Sequence, residues 1–223
     1  YNARELEEMG FANVRVWPLI VDLGRLRGTT EDSATAKRLA AIDGPMLLYV
    51  GQMLPHKRPD LLLEAFHVLV THLRPDAHLA LVGAARLAGY RDRLVMLQRD
   101  LNLSRAALIP PVSDAELVAL FHHASVFVTA SEHEGFCVPV LEAMGFDRPV
   151  VARAFGALPE TVADAGLVLP RDSGPELLAE AIAELLSNQT LASHYRREGR
   201  IRLQEFRADD ARRAFLEHLA EVF

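Results

Sequence analysis

The stretch Thr129-Ala130-Ser131-Glu132-His133-Glu134-Gly135-Phe136-Cys137-Val138-Pro139-Val140-Leu141-Glu142 decides how this chain is read. It follows the apolar run Ser125-Val126-Phe127-Val128, which has the length of a short buried strand. A polar turn with one glycine then leads into a helix that Pro139 can open in its first turn. Strand, tight turn and helix N-terminus together make an anion site, because free backbone N–H groups and the helix dipole converge there. Two carboxylates nevertheless flank this entry, Glu134 before it and Glu142 inside the helix. An acid beside an anion site is repulsive unless it has another task, such as accepting hydrogen bonds from sugar or ribose hydroxyls.

Outward from that stretch the rhythm is regular. Upstream, Met46 to Val50, His78 to Val82 and Ala107 to Ile109 are apolar runs. Between and after them Pro59 to Leu73, Tyr90 to Leu101 and Asp114 to His122 carry helical periodicity. Downstream, Val138 to Phe146 reads as helix and Pro149 to Ala152 as strand; Gly156 to Thr161 enters another helix, and Leu167 to Leu169 is a last short strand. Apolar strands alternating with helices predict a parallel sheet covered on both faces. Right-handed crossovers make it a doubly wound α/β fold, with ligands at the carboxyl ends of the strands. From Gly174 onward come three amphipathic helices broken near Asn188 and Ala208. At the other end, residues 1–10 read as a short helix, Asn13 to Pro18 as a strand, and residues 23–43 as a linker with a helix over Glu31 to Ala41.

Composition narrows the function. Of 223 residues 50% are hydrophobic and 24% charged, so a large core can be buried and disorder is not expected. The net charge of −6 argues against broad binding to nucleic acid, which needs a basic surface. Cys137 is the single cysteine, so no disulfide forms within the chain, and the cytosol is the easier compartment. No apolar run is long enough to span a bilayer. The start, Tyr1-Asn2-Ala3-Arg4-Glu5, carries no signal-peptide pattern and reads like the middle of a longer chain.

Two further loops join the first. The run Tyr49-Val50-Gly51-Gln52-Met53-Leu54-Pro55-His56-Lys57 ends a strand, and Gly51 there lets a ligand approach the backbone. Lys57 falls at a helix N-terminus, where a cation is unfavourable unless an anion accompanies it. Leu81-Val82-Gly83 ends the next strand. These loops border one crevice with the Glu134 turn. A diphosphate suits Lys57 and the helix N-termini, hydroxyls suit the glutamates, and a nucleotide sugar has both. The glycine fingerprints of dinucleotide and P-loop sites are absent, as are paired cysteines and His-x-x-x-His, so no metal and no cofactor are expected. His122-His123 and Asp209-Asp210 read as helix-end chemistry, and the sequon at Asn188 is discounted without a secretory signal.

With these residues in order the chain resembles the family 4, or group 1, glycosyltransferases. The resemblance rests on Leu48-Tyr49-Val50-Gly51 with Lys57 six residues after the glycine, Leu81-Val82-Gly83, Glu134-Gly135-Phe136, Val138 to Met144, Pro149 to Ala152 and Pro159-Glu160. It covers about residues 44 to 205, and Glu134 and Glu142 with seven residues between them are its most specific part. It implies the GT-B architecture, two Rossmann-like domains facing across a cleft, with transfer that retains anomeric configuration and needs no metal. Lys57 would stabilise the departing diphosphate and Glu134 would contact the donor sugar. Backbone around Phe136, Cys137 and Val138 would meet sugar hydroxyls or phosphate, Glu142 would take the ribose, and Ile109 to Val112 would hold the base. Gly51 and Gly83 line the donor crevice with Gln52.

The departures matter. Arginine is usual where this chain has Gln52, which can donate a hydrogen bond but cannot neutralise charge. Glycine is usual at Cys137, which still offers its N–H, and at Asp147, which is tolerated if φ is positive there. Residues 1–22 resemble the tail of the acceptor-binding domain, 23–43 a linker, 44–205 the donor domain, and 206–223 a helix that would return to the first domain through Phe215, Leu216, Leu219 and Val222. The expectation is the donor-binding half of a cytoplasmic enzyme, able to work at the inner face of a membrane. Its partners would be a UDP-, GDP- or ADP-sugar and a glycan or lipid-linked acceptor. A sugar-nucleotide epimerase, a glycan phosphorylase (weakened by the lack of a cofactor-lysine motif) and a non-catalytic scaffold are the alternatives.

Overall fold

The computed structural model describes residues 1–16, 21–206, 211–213, 215–217 and 219. Its centre is a six-stranded, all-parallel sheet: β1 (Met46–Val50), β2 (His78–Val82), β3 (Ala106–Ile109), β4 (Ala124–Thr129), β5 (Val150–Arg153) and β6 (Leu167–Leu169). The strand order is β3-β2-β1-β4-β5-β6, the doubly wound Rossmann-like arrangement. Val50 pairs with Val82 on one side of β1, and Leu48 with Phe127 on the other.

Alternation along the strands divides the core in two. Leu47 and Tyr49 point to one face, where they join Leu61, Phe66, Leu69 and Ile182. Met46 and Leu48 point to the opposite face, with Phe121, Leu141 and Met144. The first face is covered by α4 (Pro59–Val68), α5 (Tyr90–Asp100) and α9 (Pro175–Ser187), the second by α6 (Asp114–His123) and α7 (Val138–Gly145). Both faces being buried explains why the strands read as unbroken apolar runs. A short α8 (Leu158–Val162) leads toward β6, and α10 (Gln189–Arg202) packs on α7 and α9. Asn188, the sequon residue, caps α10: its side chain accepts the Leu191 N–H at 3.0 Å.

The N-terminal third differs in part from expectation. α1 (Asn2–Glu8) forms as read, but residues 13–16 make no strand; Asn13 turns at φ 61° and the segment joins no ladder. Trp17 and Pro18 lie outside the described residues. The stretch read as a linker opens with helix rather than loop: α2 (Leu23–Arg27) is capped by Asp22, and α3 (Ser33–Ala40) by Asp32, whose carboxylate accepts the Thr35 N–H at 2.7 Å. Both lie on the second face, α3 against α6, and the Asp32 N–H donates to Ala115 O at 2.9 Å. Of the last helix, Asp209 and Val222 fall outside the described residues, while Leu216 is exposed. No helix among the described residues is long and apolar enough to cross a membrane.

Candidate functional site

The strand order reverses between β1 and β4, so the loops following these two strands border the crevice where doubly wound sheets bind ligands. After β1 the chain makes a 3-10 turn at Pro55–Lys57 and enters α4. After β4 it runs through Glu132, His133 and Glu134 into α7. The two loops meet: Lys57 Nζ lies 2.7 Å from Glu134 Oε1 and 3.4 Å from His133 O. Glu134 is only 8% exposed, so its carboxylate depends on that cation, since a buried unpaired charge is strongly destabilising.

Two glycines hold this geometry. Gly83 follows β2 at φ 151°, and a Cβ there would stand 1.8 Å from Gly51 O; only a bare backbone lets the loops after β1 and β2 close together. Gly156 does the same behind Glu134, where a Cβ would lie 2.3 Å from Glu134 O, while the Ala157 N–H donates to that oxygen at 2.8 Å. Gly51 is crowded by Tyr49, whose hydroxyl donates to Gln52 O at 3.0 Å. These glycines serve the contact of loop with loop.

The remaining candidates spread along the same edge. Cys137, at φ 69°, starts α7; burial and then the charge of Glu134 push its thiol up. Val138 and Pro139 form the first turn of α7, and no side chain caps it. Glu142 sits half-buried on α7, its carboxyl raised above the usual range by burial, with Arg25 opposing and Asp114 adding to the shift. Arg25 is ion-paired to Asp114 at the start of α6. Ile109 and Val112 are partly buried beside the second core face. Phe136 turns the other way: its ring meets Phe206 at 5.5 Å, and its carbonyl accepts the Thr161 hydroxyl at 2.7 Å. Gln52 is exposed.

Several residues of the site were not singled out by the sequence reading. Arg58, Glu132 and Arg153 form a charged cluster beside the Lys57–Glu134 pair. Cavities of about 500 Å³ and 620 Å³ open nearby, one touching the loop at Gly135 and Phe136, the other at Glu132. His122 and His123 engage Glu31 and Ala119 O. No cluster of three His, Cys, Asp or Glu side chains able to hold a metal occurs among the described residues.

Known proteins resemble this chain in sequence and in fold. The family model for "Glycosyl transferases group 1" matches residues 31–202. The chain belongs to that family. A D-inositol 3-phosphate glycosyltransferase from Actinosynnema mirum is 35% identical over 161 residues, 69% of this chain and 38% of the relative. One from Mycolicibacterium smegmatis is 33% identical over 178 residues, covering 77% of this chain and 39% of the relative. The chain thus spans well under half the length of these curated relatives. Among solved structures, sucrose-phosphate synthase from Thermosynechococcus elongatus superposes with TM-score 0.80 at 24% identity, over 100% of this chain and 57% of that one. Anabaena HepE in complex with UDP gives 0.80 at 20% identity, over 97% and 60%. These likenesses show the fold, that of a Rossmann-like half of the GT-B architecture. Asp147 adopts φ 59°, the condition set for a residue other than glycine there, and Cys137 also turns left-handed at φ 69°.

Proposed function

We propose that this group 1 chain is the donor-binding half of a retaining glycosyltransferase that holds a nucleotide sugar between the ends of β1 and β4. The observation that carries the reading is the Lys57–Glu134 pair at the point where the strand order reverses. A diphosphate arriving there replaces the carboxylate as the partner of Lys57, and Glu134 is released to accept hydrogen bonds from the sugar. As the glycosidic bond lengthens, negative charge gathers on the leaving diphosphate. Lys57 and the free N–H groups at the start of α7 stabilise that charge without reorganising.

The other positions divide the donor between them. Backbone at Phe136, Cys137 and Val138 meets sugar hydroxyls or phosphate, Glu142 accepts from the ribose, and Ile109 and Val112 flank the base. Gln52 adds a hydrogen bond but no charge, which leaves Lys57 as the principal cation. The reading gives the diphosphate's charge to Lys57 rather than to a metal. It is supported by the family membership and by neighbours of the same fold, such as Anabaena HepE, solved with UDP and with UDP-glucose. The acceptor, a glycan or a lipid-linked sugar, is assigned to the facing domain of the two-domain architecture. Calorimetric titration with UDP, GDP, ADP and their glucose conjugates tests the reading. Binding with a preference for one base is expected; no binding of any nucleotide favours a scaffold instead.

A further inference from the structure

Arg58, Glu132 and Arg153 take no part in the scheme above, yet they join the segments that compose the site. The Glu132 N–H donates to His56 O at 2.7 Å, tying the β4–α7 loop to the residue before Lys57. The Glu132 carboxylate is shared by two guanidinium groups: Arg58 Nη1 bonds to it, and Arg153 Nη1 stands 3.7 Å away. Arg58 also grips Asp60 through Nε at 3.0 Å, and Asp60 accepts the Tyr90 hydroxyl at 3.3 Å. Arg153 ends β5 and is 5% exposed; Nη1 donates to Ala130 O at 3.2 Å, Nη2 to Arg171 O, and Nε is buried with no hydrogen-bond partner among the described residues.

Two features set this cluster apart from ordinary surface charge. Arg58 holds φ 51° and ψ 45°, a left-handed conformation that disfavours any residue with a Cβ. Arg153 is a charged residue placed at the end of an otherwise apolar strand, where its desolvation must be offset by fixed partners. Each member belongs to a different segment. Arg58 follows Lys57, Glu132 precedes Glu134 by two residues, and Arg153 leads to Gly156, which backs Glu134.

We propose that Glu132, held between Arg58 and Arg153, is a positioning residue that sets Lys57 and Glu134 at their working separation. The proposal rests on the reading of that pair as the diphosphate and sugar contacts. The pair cannot itself hold the two loops together once a diphosphate has taken Lys57 from Glu134. The Glu132 cluster survives that exchange, so the site remains organised when the donor is bound.

Cys137, the single cysteine, is partly buried beside Glu134 and reports on the loop without any ligand. Its rate of labelling by a maleimide is measured in the wild type, Glu132→Gln and Arg58→Gly, alongside Tm and titrations with UDP, GDP and ADP. The glycine variant removes the guanidinium while relieving the left-handed backbone, which offsets the lost ion pairs and is expected to preserve the fold. In both variants we expect labelling about tenfold faster and nucleotide affinity about tenfold weaker. The Tm of Arg58→Gly should stay close to that of the wild type. Unchanged labelling in both variants overturns the proposal, and so does acceleration that merely follows a fall in Tm. Failure of the wild type to bind any of the three nucleotides sinks the donor reading instead, and the labelling rates still decide whether Glu132 holds the loop.

Discussion

Helix α6 closes its own N-terminus, whereas α4 and α7 leave theirs open. Ser113 Oγ accepts the Glu116 N–H at 3.3 Å, and the Glu116 carboxylate accepts the Ser113 N–H at 2.8 Å, a reciprocal capping box. α4 begins at Arg58 and α7 at Cys137, both left-handed; neither side chain caps its helix, and a proline follows in the first turn of each. The contrast is between these helices and not between centre and edge of the sheet, since α5 and α9 also start without a side-chain cap. α6 follows β3 at the edge, while α4 and α7 follow β1 and β4 at the centre. Uncapped N–H groups are where an anion gains most, and each left-handed residue costs about 1–2 kcal/mol. The central pair is therefore strained and open where α6 is relaxed and closed, the trade expected where local stability has yielded to a site.

The strongest way to break this contrast is Gly83→Ala. The new Cβ would collide with Gly51 O at a φ that favours glycine, with no flexible side chain to give way. A loss of about 4 kcal/mol, or a Tm lower by about 12 °C, is expected in thermal denaturation. A drop of only a degree or two would mean that the crevice floor yields easily and that its strain is unimportant. Next in size is Lys57→Met, which leaves Glu134 buried without its cation. About 3 kcal/mol of stability and about 100-fold in nucleoside diphosphate affinity should be lost. Adding Glu134→Gln should recover much of the stability and none of the affinity. Recovery of both would make the pair structural.

On the relaxed side, Ser113→Ala removes one half of the capping box. It should cost about 1 kcal/mol, a Tm shift of about 3 °C, with nucleotide titrations unmoved. A weakened titration would instead place the β3–α6 loop inside the site and blur the division between α6 and the central pair.

Most of this arrangement was legible in local pattern. Strands buried on both faces must be apolar throughout, which is why β1, β2, β4 and β6 appear nearly residue for residue as uninterrupted runs. That Lys57 and Glu134 fall on the loops after β1 and β4 was legible because strand, turn and helix start are local signals. Asp147 could be read only conditionally; its positive φ fits, but its bidentate pairing with Arg200 at 2.7 Å and 2.9 Å joins α7 to α10 and leaves no local trace. Arg58 and Glu132 were missed for the same reason, since a guanidinium and a carboxylate 74 residues apart have no shared periodicity. Arg153 does leave a signal, a charge directly after the Val150-Val151-Ala152 run, but the apolar pattern stops at Ala152 and β5 includes it. The segment at residues 13–16 failed in the opposite sense: alternation suggested a strand, but a strand exists only where a neighbour supplies the ladder.

The smallest expected effect tests the second glutamate. Burial raises the Glu142 carboxyl above its ordinary value, Arg25 opposes this, and Asp114 adds to it. Because the folded state holds the proton more tightly than the unfolded chain, Glu142 favours folding at low pH. That contribution fades as pH rises through the raised value, so at neutral pH the ionised carboxylate is a small net cost. Glu142→Gln should therefore raise Tm at pH 7 by about 2 °C, and the difference should vanish below about pH 4, where both side chains are neutral. The same variant should bind nucleoside diphosphates about tenfold more weakly, since an amide replaces the acceptor of the ribose hydroxyls. A lower Tm at pH 7 would show that the attraction of Arg25 outweighs burial and that Glu142 is held for stability. A higher Tm with weaker binding would place Glu142 with Arg58 and Cys137, among residues whose local cost is borne at the open end of the sheet.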